Sequence, residues 1–176
     1  MYSRILVPLD GSAIASRALD EALALTHNAD AHIQALYVIN APPVCGRAGP
    51  YSFQDFRDSY AREGKAVCDE AAVRMEKTDF QSSTRVVEVN LADDDLAQRI
   101  AESAREFRAD LIVMGTHGRR GWRRVALGSV AERLVRLAPC PVLLVPARTR
   151  ASDRAAHTAS IRGVERNSTF PRETTS

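Results

Sequence analysis

Cysteine is scarce in this sequence, and the few cysteines argue against two kinds of small scaffold. Only Cys45, Cys68 and Cys140 occur among the 176 residues. They are odd in number, widely spaced and without a C-x-x-C pair, so neither a disulfide framework nor a cysteine-rich zinc site is indicated. We expect a reducing compartment, with Cys140, which stands between two prolines, as a small buried apolar residue.

The sequence also lacks a long apolar run. No stretch approaches the roughly 20 residues that a helix needs to cross a bilayer. The N-terminus has neither the charged start nor the long apolar core of a signal peptide. We therefore expect no membrane segment and a cytoplasmic location.

A large net charge is absent as well. The chain has 24 Lys and Arg against 22 Asp and Glu, which gives a formal net charge of +2. Proteins whose whole surface holds nucleic acid are usually far more basic. Nucleic acid is therefore not an expected partner.

The positive charge is concentrated at the C-terminal end. From Ala147 onward six arginines accompany three acidic residues, so this segment carries about +3. It has few large apolar residues with which to offset its chain entropy. We predict one domain over residues 1–147 and a disordered Arg/Ser/Thr-rich tail over residues 148–176.

Short apolar strands alternate with amphipathic helices along the predicted domain. The predicted strands span residues 5–9, 31–39, 84–89, 109–115 and 142–145, and the predicted helices span residues 13–27, 53–77, 93–107 and 129–138. A Pro-rich and Gly-rich irregular connection over residues 40–52 interrupts them. This order predicts an α/β fold in which helices cover both faces of a parallel sheet. Ligands of such sheets bind beyond the carboxyl ends of the strands, where the strand order reverses.

Several residues mark the helix ends. Ser12 is predicted to cap the first helix, and the acidic residues 93–95 are predicted to open the third. Ser129 and Glu132 have the spacing of a capping box for the last helix. Gly64 weakens the prediction of the long second helix, because glycine is a poor helix former.

The most informative stretch follows the fourth strand. The sequence contains neither a G-x-G-x-x-G dinucleotide loop nor a Walker lysine loop. Instead Gly115, Gly118 and Gly128 precede the serine that starts the last helix. We expect Gly115 and Gly118 to take positive φ and to leave room for a ligand. The unpaired N–H groups of the helix start would suit a phosphate, although a solvated loop closed by an ordinary helix cap is also possible.

Residues 114–145 resemble the ATP-binding branch of the universal stress proteins. The resemblance is carried by the sequence MGTHGRRGWRRVALGSVAERLVRLAPCPVLLV, which contains the family signature G-x2-G-x9-G-S/T, and it extends to the first strand. It implies a five-stranded parallel sheet of order 3-2-1-4-5 in a three-layer α/β/α domain, as in the adenine nucleotide alpha hydrolases. It also implies a stress-response protein that binds ATP as a regulatory or stabilising ligand, with slow hydrolysis or none.

The resemblance also implies a set of site residues. Asp10 would approach the ribose or a phosphate-bound Mg²⁺, and the backbone of Val38 would meet the adenine. Glycines, Ser129 and Val130 would hold the phosphates. The full expected nucleotide site comprises Pro8, Leu9, Asp10, Val38, Met114, Gly115, His117, Gly118, Arg119, Gly128, Ser129 and Val130.

Two other functions stay open at this point. A nucleotide-free stress interaction module would use the same fold without a ligand. A slow ATP hydrolase would need a proton-transferring group beside the phosphates, and His117 is the candidate by position. A loop histidine without an acidic neighbour is more often a solvated polar residue, and Asp10 can be read simply as the residue that ends a strand.

The last strand also has a predicted role in assembly. It is an apolar run at one edge of the expected sheet, and an open apolar edge favours pairing with another chain. We expect a two-fold homodimer through this strand, as the family resemblance also suggests. Its residues are Val142, Leu143, Leu144 and Val145.

Overall fold

The computed structural model of the protein describes residues 2–26, 30–40, 53–89, 95–117 and 127–146. Within these ranges five strands alternate with four helices in the predicted order. The strands are β1 (Arg4–Leu9), β2 (His32–Ile39), β3 (Gln81–Glu88), β4 (Leu111–Gly115) and β5 (Val142–Val145). The helices are α1 (Ala13–Leu25), α2 (Phe53–Met75), α3 (Leu96–Phe107) and α4 (Ser129–Leu137). Outside the described residues lie positions 41–52 of the predicted connection over 40–52, the acidic residues 93 and 94, and the predicted tail over 148–176.

All described strands are parallel and form one sheet in the order β3-β2-β1-β4-β5. The predicted fold class and strand order are therefore confirmed. The order reverses between β1 and β4, which places the expected ligand-binding edge at the carboxyl ends of these two strands.

Apolar side chains fill both faces of the sheet. Ile5 and Val7 of β1 point to the side covered by α1 and α2, where they pack with Leu19 and Met75. Leu6, between them, packs on the opposite side with residues of α3 and α4. This alternation along a strand that is buried on both faces explains why β1 appears in the sequence as a continuous apolar run.

The third strand begins earlier than predicted. β3 starts at Gln81, whereas the apolar signal begins near Thr84. Gln81, Ser82 and Ser83 pair with residues 32–34 of β2 although they are polar. At a sheet edge such residues complete a ladder without burying apolar side chains, so the apolar pattern does not reveal them.

Gly64 lies within α2 without interrupting it, and the reason is close packing. A Cβ atom at Gly64 would lie 2.6 Å from Cδ1 of Tyr37, whose side chain is buried. The missing side chain allows the middle of α2 to rest on the tyrosine ring of β2. Glycine is therefore used here for close approach, despite its low helix propensity.

The start of α1 is as predicted, whereas α3 begins at Leu96, three residues later than predicted and without an acidic residue in its first turn. The Ser12 hydroxyl accepts the N–H of Ala15 at 3.2 Å and caps α1. A carboxylate oxygen of Asp95 accepts the N–H of Gln98 at 2.8 Å and caps α3. Each cap satisfies a backbone donor that the helix cannot satisfy itself.

The described helices include none that is both long and apolar enough to cross a membrane.

Candidate functional site

The candidate site begins at the end of β1. Asp10 follows the strand, and one of its carboxylate oxygens accepts the N–H of Ser12 at 2.9 Å. Gly11 between them has a φ of 77°, a left-handed conformation that glycine adopts without strain. This tight turn holds the Asp10 carboxylate at the carboxyl edge of the sheet and leads directly into α1.

Gly115 ends β4, on the other side of the strand-order reversal. A Cβ atom at this position would lie 2.5 Å from Cγ2 of Ile14, in the first turn of α1. The absence of a side chain thus lets the end of β4 approach the start of α1. The prediction that Gly115 takes a positive φ was wrong, because Gly11 is the only glycine with positive φ among the described residues.

Thr116 connects the end of β4 to two further elements. Its N–H donates to the carbonyl of Val145 at the end of β5, at 2.9 Å. Its carbonyl accepts the N–H of Gly128, also at 2.9 Å. Because Gly128 directly precedes α4, this second bond brings the N-terminus of that helix to the carboxyl end of β4.

The N-terminus of α4 has no side-chain cap. Gly128 is the N-cap residue, and the exposed Ser129 is the first residue of the helix. The N–H of Glu132 donates to the Gly128 carbonyl at 2.9 Å, whereas the preceding N–H groups have no carbonyl partner within the helix. Several backbone donors are thus directed outward at one end of the helix dipole.

The predicted capping box of Ser129 and Glu132 was therefore wrong. The Glu132 carboxylate pairs with Arg136, one turn further along α4, at 2.7 Å. The N-cap position itself is occupied by Gly128, where a Cβ atom would lie 2.9 Å from the Thr116 carbonyl oxygen. A side chain at the N-cap position would clash with the Thr116 backbone. Glycine therefore occupies the position that a capping serine would need.

His117 follows Thr116 and is half-buried. Its Nδ1 lies 3.1 Å from the Thr116 hydroxyl oxygen. No group of three or more His, Cys, Asp and Glu side chains with the arrangement of a metal site occurs in the described part of the chain. A metal ion at this edge would therefore have to take further ligands from a bound molecule or from water.

The apolar members of the predicted site lie on both faces of the sheet. The side chains of Leu9 and Met114 are buried, and those of Pro8 and Val38 are half-buried. Leu9 packs with the α1 and α2 side, and Met114 with the α3 and α4 side. Gly118 and Arg119, also predicted as site residues, lie outside the described residues.

The two described cysteines are unsuited to nucleophilic chemistry. Burial raises the pKa of the Cys68 thiol, and the nearby Asp69 carboxylate raises it further. Burial likewise raises the pKa of Cys140, with a smaller contribution from Asp110. Both thiols stay protonated near neutral pH. Cys140 packs against the apolar core as predicted, but it is half-buried and not buried.

Two residues at the site were missed by sequence reasoning. Ile14 and Thr116 hold the ends of β4, α1 and α4 together, but neither has a side chain that suggests chemistry. The position of Thr116 between the signature residues Gly115 and His117 was the available signal. Ile14 had none, because its contact with Gly115 joins parts of the chain that are distant in sequence.

Comparison with known proteins gives a consistent result. A family model described as the universal stress protein family matches residues 1–146. A universal stress protein of Methanocaldococcus jannaschii is 34% identical over 145 residues, which make up 82% of this chain and 82% of that protein. A crystal structure of a universal stress family protein from Burkholderia pseudomallei matches with a TM-score of 0.67 and 42% identity, over 83% of this chain and 97% of the other.

Two more distant structures share the fold and contain nucleotides. A universal stress family protein of Arabidopsis thaliana with AMP bound has 21% identity and a TM-score of 0.58, over 86% of this chain and 94% of that one. A universal stress protein of Archaeoglobus fulgidus in complex with dAMP has 21% identity and a TM-score of 0.57, over 82% and 98% of the two chains.

Proposed function

The chain belongs to the universal stress protein family, and from this premise we propose that it binds ATP at the carboxyl ends of β1 and β4. The observation that carries the proposal is the bond from the Gly128 N–H to the Thr116 carbonyl, at 2.9 Å. It brings the outward-directed N–H groups of α4 next to the point where the strand order reverses. Relatives that bind AMP and dAMP support adenine as the base.

The helix end alone is too weak to hold a nucleotide. Contact with a helix dipole contributes about 0.3–2 kcal/mol, whereas micromolar binding needs about 8 kcal/mol. Burial of the adenine has to supply much of the difference. We assign that part of the site to Pro8, Leu9, Val38 and Met114, with the phosphates at Gly115, His117, Gly128, Ser129 and Val130. Gly118 and Arg119 belong to the same proposal by sequence alone.

Magnesium fits the chemistry of this edge. Mg²⁺ is commonly held by one or two protein carboxylates together with substrate phosphates and water. Asp10 supplies a carboxylate at the end of β1, where its turn with Ser12 fixes the backbone. When bound with ATP, the ion would neutralise phosphate charge, and Asp10 would orient it.

We assign the nucleotide a regulatory or stabilising role with slow hydrolysis or none. A ligand that binds only the folded state stabilises it by about 2.7 kcal/mol at one hundred times its dissociation constant. Among the described histidines, His117 is the one that lies in the signature sequence. Its Nδ1 lies 3.1 Å from the Thr116 hydroxyl oxygen and not beside a carboxylate. This arrangement lacks the acidic partner that orients a general base in many hydrolases.

We also propose where the protein is located and how two copies of it associate. We assign the protein to the cytoplasm, which agrees with its few, widely spaced cysteines. We also propose a homodimer through β5, because Val142, Leu143, Leu144 and Val145 form an edge strand on which Leu143 is 38% exposed.

The variants Ser129→Asp and Ser129→Asn test the phosphate position. Ser129 is exposed at the start of α4, so neither side chain disturbs the core. Aspartate places a negative charge where the phosphates would lie and should weaken ATP binding at least about tenfold. Because acidic residues suit a helix start, the fold should be as stable as before or gain about 0.3–1 kcal/mol.

The asparagine variant is the uncharged control with a side chain of the same size as aspartate, and it should lose clearly less ATP affinity than the aspartate variant. Calorimetric titration with ATP, AMP and adenosine measures each affinity, and adenosine should not distinguish the variants. Equal ATP affinity of both variants would place the phosphates elsewhere. Steady ATP turnover by the purified protein, lost in His117→Ala, would favour the hydrolase, and absence of any nucleotide binding would favour the interaction module.

A further inference from the structure

The start of α3 lies at the same edge of the sheet as the candidate site. The other end of this helix lies beside the start of β1, because Nε of Arg4 donates to the Phe107 carbonyl at 2.7 Å. The 12 residues of α3 and the 6 residues of β1 each span roughly 18–20 Å. Asp95, which directly precedes α3, therefore lies at the level of the carboxyl end of β1.

Asp95 joins the start of α3 to α4 through the two oxygens of its carboxylate. Oδ1 accepts the N–H of Gln98 at 2.8 Å and caps α3. Oδ2 forms an ion pair with Nε of Arg133 in α4. The two side chains are 38% and 59% exposed, so a molecule bound at this edge can reach the pair.

Arg133 lies one turn after the start of α4. Residues four positions apart share a helix face, and side chains tilt toward the N-terminus, so the guanidinium extends back toward Ser129. An arginine side chain is longer than the rise of one turn, about 5.4 Å. The Gly128 N–H donates to the Thr116 carbonyl at 2.9 Å, which places this first turn beside the end of β4.

The first turn of α4 is electropositive. Ser129 and Val130 have neutral side chains, and the Glu132 carboxylate pairs with Arg136 at 2.7 Å, one turn further from the helix start. A guanidinium near the positive end of a helix dipole is unfavourable unless an anion accompanies it. Asp95 is such an anion in the structure, and a phosphate would interact favourably with both the guanidinium and the helix end.

A guanidinium suits this position because it has five N–H donors in a planar arrangement. Contact of Nε with one carboxylate oxygen does not use all of them. Arginine also binds phosphate oxygens through two parallel hydrogen bonds and carries its charge at every physiological pH.

We propose that Arg133 contacts the phosphates of a nucleotide bound at the carboxyl ends of β1 and β4, and that Asp95 competes with those phosphates for the guanidinium. The inference rests on the proposed function and adds a residue to its site. Arg133 gives the site a preference for nucleotides with more phosphates, because the contact is made to phosphate charge and not to the base.

Three full-length variants test this inference. Arg133→Gln removes the guanidinium next to the helix start. Arg136→Gln is the matched control, because it removes the same charge from the same helix at the arginine that pairs with Glu132. Asp95→Asn removes the charge of the competing carboxylate and keeps the cap of α3, since asparagine and aspartate are similarly good N-cap residues.

Calorimetric titration of each protein with ATP, AMP and adenosine measures the effect, and urea unfolding checks that each variant is folded. Arg133→Gln should bind ATP about tenfold more weakly, AMP should lose less, and adenosine should bind equally. Arg136→Gln should stay within about twofold of the original protein for every ligand. Asp95→Asn should bind ATP at least as tightly as the original protein.

The outcomes separate a phosphate contact from a purely structural link between α3 and α4. Arg133→Gln and Asp95→Asn both break the ion pair, so equal weakening of ATP binding by the two variants would overturn the inference. If the original protein binds ATP and Arg133→Gln binds it equally well, the inference fails and the proposed function stands. If the original protein binds neither ATP nor adenosine, both fail.

Discussion

At the scale of single residues, the two described glycines of the signature sequence, Gly115 and Gly128, are selected by the protein's own contacts. A Cβ atom at Gly115 would meet Ile14, and one at Gly128 would meet the Thr116 carbonyl. Substitution at Gly128 is therefore a poor test of ligand binding, because it would first displace the loop. The fold and a ligand can thus require the same glycines. Variants that change charge but keep side-chain volume are needed to distinguish the requirement of the fold from that of the ligand.

Gly115→Ala should destabilise the fold by about 1–3 kcal/mol, since the new methyl group would overlap Cγ2 of Ile14. Ile14 is half-buried, so Ile14→Ala removes the obstructing atoms at moderate cost. We expect the double variant to recover most of the loss due to Gly115→Ala. Urea unfolding of the two single variants and the double variant measures the coupling, and strictly additive losses would show that this contact does not select glycine.

The free energy of unfolding should depend on pH through His32. Burial lowers the pKa of His32, and the charge of Arg4 lowers it further. The unfolded chain therefore binds this proton more readily than the folded one, so the free energy of unfolding should fall as pH drops below about 6.5. The imidazole Nε2 lies 2.8 Å from the Ser83 hydroxyl, a contact that an amide can imitate.

His32→Gln should accordingly reduce the stability lost between about pH 7 and pH 5. Unfolding by urea at several pH values compares the variant with the original protein. Carboxylates contribute to the loss in both proteins, so the quantity that matters is the difference between the two curves. Parallel curves would mean that His32 titrates alike in the folded and unfolded chains.

Caps that depend on neighbouring residues are predictable at this scale, whereas caps that depend on distant contacts are not. Ser12 and Asp95 each bond to a residue three positions away; the Ser12 cap was predicted from the sequence, whereas Asp95 was predicted only as part of an acidic first turn. The start of α4 instead depends on Thr116, which lies in another part of the chain. A capping-box pattern in the sequence carries no information about that contact.

At the scale of elements, the number, type and order of the described helices and strands follow from the alternation of short apolar runs and amphipathic segments. The ends are less predictable where polar residues complete an element, as at Gln81 in β3. Gly64 shows the converse case, in which a residue unfavourable for a helix is retained because α2 lies against Tyr37. Contacts between elements determine both the early start of β3 and the retention of Gly64 in α2. These contacts cannot be read from a single sequence.

Gly64→Ala should destabilise the protein by about 1–3 kcal/mol despite a gain in helix propensity of about 1 kcal/mol. The new methyl group would lie 2.6 Å from Cδ1 of Tyr37. In a Tyr37→Val background the same substitution should become neutral or stabilising. Ala66→Gly, at an exposed position of the same helix, supplies the propensity difference without a clash. Thermal unfolding compares Gly64→Ala, Tyr37→Val, their double variant and Ala66→Gly. A stabilising effect of Gly64→Ala alone would contradict the packing argument.

At the scale of the whole molecule, the parallel arrangement follows from the β-α-β order, and the strand order was implied by the family resemblance. The sequence did not give the hydrogen bonds that join β4, β5 and α4 at Thr116. These bonds connect the proposed nucleotide site to the proposed dimer edge. The topology was thus predictable, but the connection between the two edges proposed to be functional was not.

The dimer proposal predicts that Leu143→Lys converts the protein to a monomer, since a charge would be buried where two edge strands meet. Leu143 is 38% exposed in the single chain. Val73→Lys is the matched control, because Val73 is also apolar and exposed, at 56%, but lies on α2. Light scattering at micromolar concentration distinguishes the two states. A monomer before any substitution would contradict the dimer, and dissociation by both variants would contradict its location.

The two edge strands of the sheet, β3 and β5, differ in polarity. This difference limits how copies of the protein can associate. β3 presents Gln81, Ser82 and Thr84, which are exposed and polar, together with one exposed apolar residue, Val86, whereas β5 is a purely aliphatic strand. In the proposed dimer, pairing of two β5 strands would bury the aliphatic edge of each copy and leave the more polar β3 edges outermost. In the proposed dimer, growth would end at a closed pair, and this arrangement would oppose polymerisation into fibrils even when the protein accumulates to high concentration.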